Sequence, residues 1–312
     1  MKNVLVCGGA HVDRRGRIAG RTAPGASNPG AWFSEAGGGG FNAARNLSRL
    51  GHAVTLISPR GGDAEGDLVA AAARQAGVTD RPFVFLDRAT PSYTAILEND
   101  GNLVIALADM DLYRQFTPRR AQMRSVRDAI AAADLLLCDA NLPEETIAAL
   151  IGQARDCGRV TAGIAISPAK AVRFRPALER LDFLFMNEAE ACALTGARAA
   201  DLREWPAMLR DIGLAGGFVT RGGEALVGFS GPDMVIGKPP VLDMIQDVTG
   251  AGDALAAGAL FGLMNGSGLA EAMRLAIACA SITLQSPYAV SEALSRESLQ
   301  AALSRVTDVH AR

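Results

Sequence analysis

Short, almost wholly apolar segments recur along this chain, and they limit what it can fold into more than any other feature. Asn3–Ala10, Ala53–Ser58, Ala133–Cys138, Val160–Ile166, Leu181–Phe185 and Gly216–Thr220 are too short for typical helices. They also lack the polar alternation of a strand with one wet face, so they read as strands buried on both sides. Helical segments lie between them, among them Phe41–Leu50, Glu65–Ala76 ending at Gly77, and a stretch opened by the cap-and-proline pair Thr117-Pro118. This alternation predicts an α/β fold: a mostly parallel sheet with helices on both faces. Apolar residues make up 49% of 312, enough to bury both layers.

Two regions depart from that rhythm. Arg14–Glu35 is rich in Gly, Pro, Arg and Ser and has no helical period. Ala89–Leu112 carries the strand-like runs Tyr93–Leu97 and Asn102–Ala108 around a turn at Gly101. Together, residues of about 14–35 and 89–113 predict a small sheet apart from the large one. Pro82–Leu86 reads as a further strand, Ala225–Phe229 with Met234–Lys238 as an antiparallel pair, and Leu269–Leu284 and Ser295–Val306 as the last helices. The chain shows no internal repeat, low-complexity tract or linker, so residues 1–312 read as one domain.

Composition excludes several function classes. The net charge is −2 and no basic tract occurs, which argues against a nucleic-acid partner. Cys7, Cys138, Cys157, Cys192 and Cys279 are scattered without a C-x-x-C pair, and suit a reducing compartment. His11, His52 and His310 make no metal-ligand spacing. Met1-Lys2-Asn3 leads straight into a strand with no signal-peptide pattern, and no apolar run reaches the roughly 18 residues of a membrane span. A cytoplasmic location is the expectation. Neither G-x-x-x-x-G-K-[ST] nor a G-x-G-x-x-G after the first strand is present.

The chemistry concentrates in Asp247-Val248-Thr249-Gly250-Ala251-Gly252-Asp253-Ala254. Ala254–Met264 is uncharged and reads as a buried helix, which puts Gly250-Ala251-Gly252 at its N-terminus. Helix N-termini offer free N–H groups and the positive end of the dipole, and small residues let an anion come close. Asp253 then stands beside an anion site. A carboxylate there suits proton abstraction from the acceptor of a transferring phosphoryl group, and equally an ordinary first-turn Asp.

The full pattern resembles the second signature of the PfkB (ribokinase-like) family of carbohydrate and nucleoside kinases, with Ala257 and Gly258 also in place. Gly38-Gly39-Gly40-Phe41-Asn42-Ala43-Ala44, followed by Gly51 and Gly61, resembles its first signature, which contacts the sugar. The resemblance implies a ribokinase-like fold with a β-lid over the sugar site, an anion hole at Gly250, Ala251 and Gly252, and Asp253 as general base. It implies that Asp13 holds sugar hydroxyls, helped by Gly38, Gly39, Asn42 and Asn46, although Asp13 also reads as a turn residue. Asn187-Glu188-Ala189-Glu190 reads as a capping box and equally resembles the N-x-x-E motif, in which Glu190 would position Mg²⁺ through water. Thr220 and Gly222 resemble positions near the ATP phosphates and ribose. Asp247 and Thr249 resemble residues flanking a K⁺ site. The family implies ATP and Mg²⁺ as cofactors and a small molecule, nucleoside or sugar, as substrate. A homodimer through the lid is expected because the lid strands would otherwise leave long unpaired edges.

Within the family, Ser27-Asn28-Pro29-Gly30, the pair Asn42 and Asn46, and Ala108-Asp109-Met110-Asp111 resemble bacterial pseudouridine kinases. These phosphorylate the 5′-hydroxyl of a C-glycosidic nucleoside, and Asp109 would accept from base N–H groups unless it is an ordinary turn residue. Where many relatives have Asp-Pro, this chain has Ile164-Ala165-Ile166-Ser167 and then Lys170, which either reaches the phosphates or is solvated. Ribose, a purine nucleoside or a ketohexose is the alternative substrate. A silent nucleoside-binding regulator is a third reading, which has no use for a retained base at Asp253.

Overall fold

In the computed structural model, which describes residues 1–311, the apolar segments join into one ten-stranded sheet. From one edge to the other the strands are Val309–Ala311, Asp233–Gly237, Leu226–Ser230, Gly216–Thr220, Phe183–Asn187, Val160–Ile164, Leu135–Asp139, Asn3–Cys7, Ala53–Ile57 and Thr79–Asp80. Neighbours from Gly216–Thr220 to Thr79–Asp80 run parallel, and the other three strands add antiparallel at one edge. Successive residues of a strand point to opposite faces, and both faces are dry. Val4 and Val6 thus join a core beneath the helices Gly39–Arg49, Ala64–Gln75, Ala251–Met264 and Leu269–Leu284. Leu5 and Cys7 join a second core beneath Arg124–Ala132, Glu144–Asp156, Glu188–Thr195 and Trp205–Asp211.

The strand order reverses at Asn3–Cys7, whose neighbours are the next strand of the sheet on one side and Leu135–Asp139 on the other. Such a reversal opens a crevice at the carboxyl ends of the strands. The helix Ala251–Met264 is brought to this crevice by close packing on Leu269–Leu284. A Cβ on Gly258 would stand 2.5 Å from the Leu275 carbonyl oxygen, so only glycine permits this approach.

A separate four-stranded sheet has the order Gly30–Gly37, His11–Ile18, Ser92–Leu97, Leu103–Asp109. The chain enters it at His11, three residues earlier than the composition suggested, so Asp13 sits on this sheet and not in a turn of the large one. Two further assignments are corrected. Phe83–Phe85 pairs with Pro59–Gly61 in a small parallel pair of its own, and the edge of the large sheet is taken by Thr79–Asp80. The chain does not close on a helix: after Arg296–Leu303 it adds the strand Val309–Ala311. Thr117 caps its helix as expected, accepting from the Arg120 N–H at 3.4 Å. Among the described residues no helix is long and apolar enough to cross a membrane.

Candidate active site

The helix Ala251–Met264 starts at the mouth of the crevice, with Gly250 as its N-cap. Gly250 has φ +77, and a Cβ there would lie 2.1 Å from the Ala289 carbonyl oxygen, so packing within the protein demands this glycine. Gly252 differs. It is exposed, and no heavy atom lies within 4 Å of where its Cβ would be, so the first-turn backbone is open to an anion.

Asp253 follows in the same turn, and its Oδ2 accepts from Asn42 Nδ2 at 2.8 Å. Asn42 cannot rotate freely, because its own Oδ1 accepts from Arg45 Nη2 at 2.7 Å. The same Arg45 nitrogen bonds the Ala36 carbonyl, and the guanidinium lies over the Phe41 ring at 4.6 Å. Burial pushes the Asp253 pKa up to about 7; the Asn42 hydrogen bond opposes this, and the negative charge of Asp139 adds to it. A carboxyl poised near neutrality is well matched to moving a proton at ordinary pH.

Asp13, which also faces the crevice, is backed by a relay. His11 Nε2 lies 3.3 Å from Asp13 Oδ1, and His11 Nδ1 meets the Tyr113 hydroxyl at 2.8 Å. Asp13 lies against Gly37, where a Cβ would come within 2.0 Å of its carboxylate. The loops bearing these groups are held by Asp139, which is fully buried at a strand end. Its Oδ2 accepts from the N–H groups of Gly9 and Gly40, each at 2.8 Å, and its Oδ1 from that of Asn141 at 2.9 Å. One carboxylate thereby ties the end of the first strand to the start of the helix that carries Asn42.

A cavity of about 460 Å³ brings these groups together: Asp13, Gly38, Gly39, Asn42 and Asp253 line it, and so do Asn187, Glu190, Thr220, Gly250 and Gly252. Asn187 and Glu190 do form a reciprocal capping box: Asn187 Oδ1 accepts from the Glu190 N–H at 3.0 Å, and Glu190 Oε2 from the Asn187 N–H at 2.7 Å. Burial raises the Glu190 pKa, against that hydrogen bond. Lys170 also lines the cavity and donates to Asn141 Oδ1 at 2.7 Å, so it is neither free nor fully solvated. Burial lowers its pKa, and Asp139 partly restores it.

A sequence model described as "pfkB family carbohydrate kinase" matches residues 1–295. The chain belongs to the PfkB family of carbohydrate kinases. The pseudouridine kinase of Escherichia coli K12 is 29% identical over 297 residues, covering 94% of this chain and 93% of that protein. A carbohydrate kinase from Agrobacterium tumefaciens superposes with a TM-score of 0.92 at 60% identity, each chain covered completely. A ribokinase from Arabidopsis thaliana, complexed with ribose and ATP, shares the fold with a TM-score of 0.87 at 20% identity, over 97% of this chain and 98% of that one. The fold is ribokinase-like, and ribokinase-like kinases use ATP.

Some residues expected at a PfkB site lie elsewhere. Asn46 is fully buried outside the cavity lining, one turn beyond Asn42, and its amide finds no partner within the protein. Gly222 stands with φ +56 in the turn after Gly216–Thr220, past the point where the lining ends at Thr220. Asp109 ends its strand in a second cavity of about 770 Å³, which shares Ala108, Met110, Asn141 and Lys170 with the first. Asp247 and Thr249 do not fit a potassium ion. Asp247 Oδ2 is paired with Arg15, and its Oδ1 accepts from both the N–H and the hydroxyl of Thr249.

Other residues of the site were not foreseen. Ile166 lines the cavity with φ +69, an unusual backbone for a β-branched residue, and its side chain fills the space over Gly39. It sits in the Ile164–Ser167 segment that departs from Asp-Pro, and that departure is the one signal the sequence carries for it. His11, Asn141 and Tyr113 carried none.

Proposed function

We propose that this PfkB kinase transfers the γ-phosphoryl group of ATP to the 5′-hydroxyl of pseudouridine, giving pseudouridine 5′-phosphate. The observation that carries the reading is the juxtaposition at one helix start: an open backbone for an anion at Gly250–Gly252, and beside it Asp253, half-buried and oriented by Asn42. Asp13, held by His11, and Asn42 take the ribose hydroxyls, with Gly38 and Gly39 leaving room for the sugar. The 5′-oxygen then lies between Asp253 and the γ-phosphate. Asp253 takes its proton as the bond from the 5′-oxygen to the γ-phosphorus forms and the bond to the β,γ-bridging oxygen breaks, releasing ADP, while the first-turn N–H groups meet the charge on the phosphoryl oxygens.

Lys170, Thr220 and Asn187, which line the same cavity, face the nucleotide phosphates. Glu190 fits a Mg²⁺ position: it lines the cavity, and burial disfavours the charge of its carboxylate, which a nearby cation would offset. Bound Mg²⁺ would neutralise phosphate charge. Among the described residues no three ligating side chains cluster, so such an ion would draw most ligands from phosphate and water. The small sheet acts as a lid over the sugar and pairs two subunits through its apolar outer strand, where Ile105 is 65% and Leu107 71% exposed. The reading places the enzyme in the cytoplasm.

Pseudouridine is favoured by the similarity to a pseudouridine kinase and by the second cavity, which adjoins the sugar side and gives a base somewhere to lie. Asp109 lines it and can accept the N–H that pseudouridine has where uridine has a carbon. A site built to bond that N–H rejects the analogue lacking it by up to roughly 10⁴–10⁵-fold. The test is kcat/KM for pseudouridine, uridine, adenosine and ribose with ATP and Mg²⁺. Pseudouridine should lead; a clear win by ribose or adenosine removes the substrate assignment and leaves the kinase.

A further inference from the structure

One side chain of the small sheet is tied to the turn before the anion-binding helix. Arg15, on His11–Ile18, donates from Nη1 to Asp247 Oδ2 at 2.5 Å and from Nη2 to Glu35 Oε1. Each carboxylate passes the constraint on. Asp247 Oδ1 holds the Thr249 N–H at 2.9 Å and its hydroxyl at 2.7 Å, and Thr249 is the residue before Gly250. Glu35 Oε2 accepts from the Ala289 N–H at 3.3 Å, and it is the Ala289 carbonyl that packs on Gly250. Both supports of Gly250 therefore trace back to one guanidinium. Phe33 lies beneath that group at 5.1 Å and stacks on Tyr288 at 5.9 Å, next to Ala289. Burial works against the charge of Arg15, but Asp247 and Glu35 outweigh it and hold the pKa above its ordinary value.

We propose that Arg15 is a positioning residue for phosphoryl transfer: it is a built-in cation that shapes the anion-binding turn, so this chain needs no monovalent metal ion there. The proposal rests on the reading of Gly250–Gly252 as the anion hole. A metal ion in such a place would make the turn's shape depend on the salt present. A guanidinium fixed in the sheet above it makes the shape depend on that sheet's position, and so couples the sheet that carries Asp13 to the site that receives the phosphate.

The test compares K⁺ with tetramethylammonium as the only monovalent cation. Unmodified enzyme should turn over equally in both. Arg15→Ala should lose about 10²-fold in kcat, the usual effect of a reacting group misplaced by about an ångström, with the nucleoside KM nearly unchanged. Small amounts of guanidinium or K⁺ should restore most of that loss, and Arg15→Lys should fall between. Melting temperature gives a readout that needs no turnover: Arg15→Ala should be stabilised by guanidinium or K⁺ over tetramethylammonium, and unmodified protein should not. Should Arg15→Ala fail to fold, the unmodified enzyme and Arg15→Lys still decide the matter. Stimulation of unmodified enzyme by K⁺, an unchanged kcat in Arg15→Ala, or a loss that neither ion restores overturns the proposal. Failure of the kinase reading looks different, since no substrate would then be phosphorylated while the melting comparison could still be made.

Discussion

Replacing Asn42 with alanine should move the pH dependence of this enzyme upward by an amount the site geometry sets. The proposed base, Asp253, has a pKa of about 7 because burial disfavours its charge, and the Asn42 amide at 2.8 Å is the largest influence pulling it down. A hydrogen bond to a charged group contributes about 1.5–3 kcal/mol, and about 1.4 kcal/mol shifts a pKa by one unit. Asn42→Ala should therefore raise the Asp253 pKa from about 7 to about 8–9. The base must be ionised to accept a proton, so kcat/KM climbs as pH rises through this pKa. At pH near 7 the ionised fraction falls from about a half to about 1–10% in the variant. The assay is kcat/KM from roughly pH 5.5 to 10, which reports the free enzyme. The height of the profile also falls if Asn42 touches the sugar, but its midpoint moves only through Asp253. An acid limb that stays put, or moves to lower pH, refutes the reasoning.

The same burial implies a cost in stability. Because the folded pKa of Asp253 is raised, its contribution is intact below the ordinary carboxylate pKa of about 4 and is lost as pH rises through about 7. Asp253→Asn should thus gain melting temperature relative to wild type as pH goes from about 5 to about 8; a constant difference would contradict the shift. Gly250→Ala should destabilise by about 1–3 kcal/mol and lower kcat, since φ +77 and the Ala289 carbonyl at 2.1 Å both oppose a side chain; urea unfolding checks it. Light scattering should give a dimer for the wild type and a monomer for Ile105→Glu, and a monomeric wild type would remove the role assigned to the apolar outer strand of the small sheet.

What the sequence revealed and what it hid divide along the range of the interactions. The helix start at Gly250–Gly252, the capping box at Asn187 and Glu190, and the parallel strands were legible because each is written within a few consecutive residues. Asp139 was not. It ends an apolar strand like any strand-end Asp, and its role depends on Gly9 and Gly40, 130 and 99 residues away. Arg15 reads as one arginine among several in a polar stretch, and its partner Asp247 lies 232 residues on. Asn46 shows the opposite error. Helical spacing put it beside Asn42, but one further turn carried it out of the crevice and into the core. The edge strands Thr79–Asp80 and Val309–Ala311 are too short to show a period at all.

The central claim is that Asp253 accepts the proton of the substrate hydroxyl. A single-turnover experiment with wild-type and Asp253→Asn protein, substrate bound in excess of its Kd and the 5′-phosphate followed by mass spectrometry, tests it most directly. The account predicts a chemical step slower by roughly 10²–10⁴-fold in the variant, with nucleoside and ATP affinities little changed. Product formation by correctly folded Asp253→Asn at nearly the wild-type rate would contradict it.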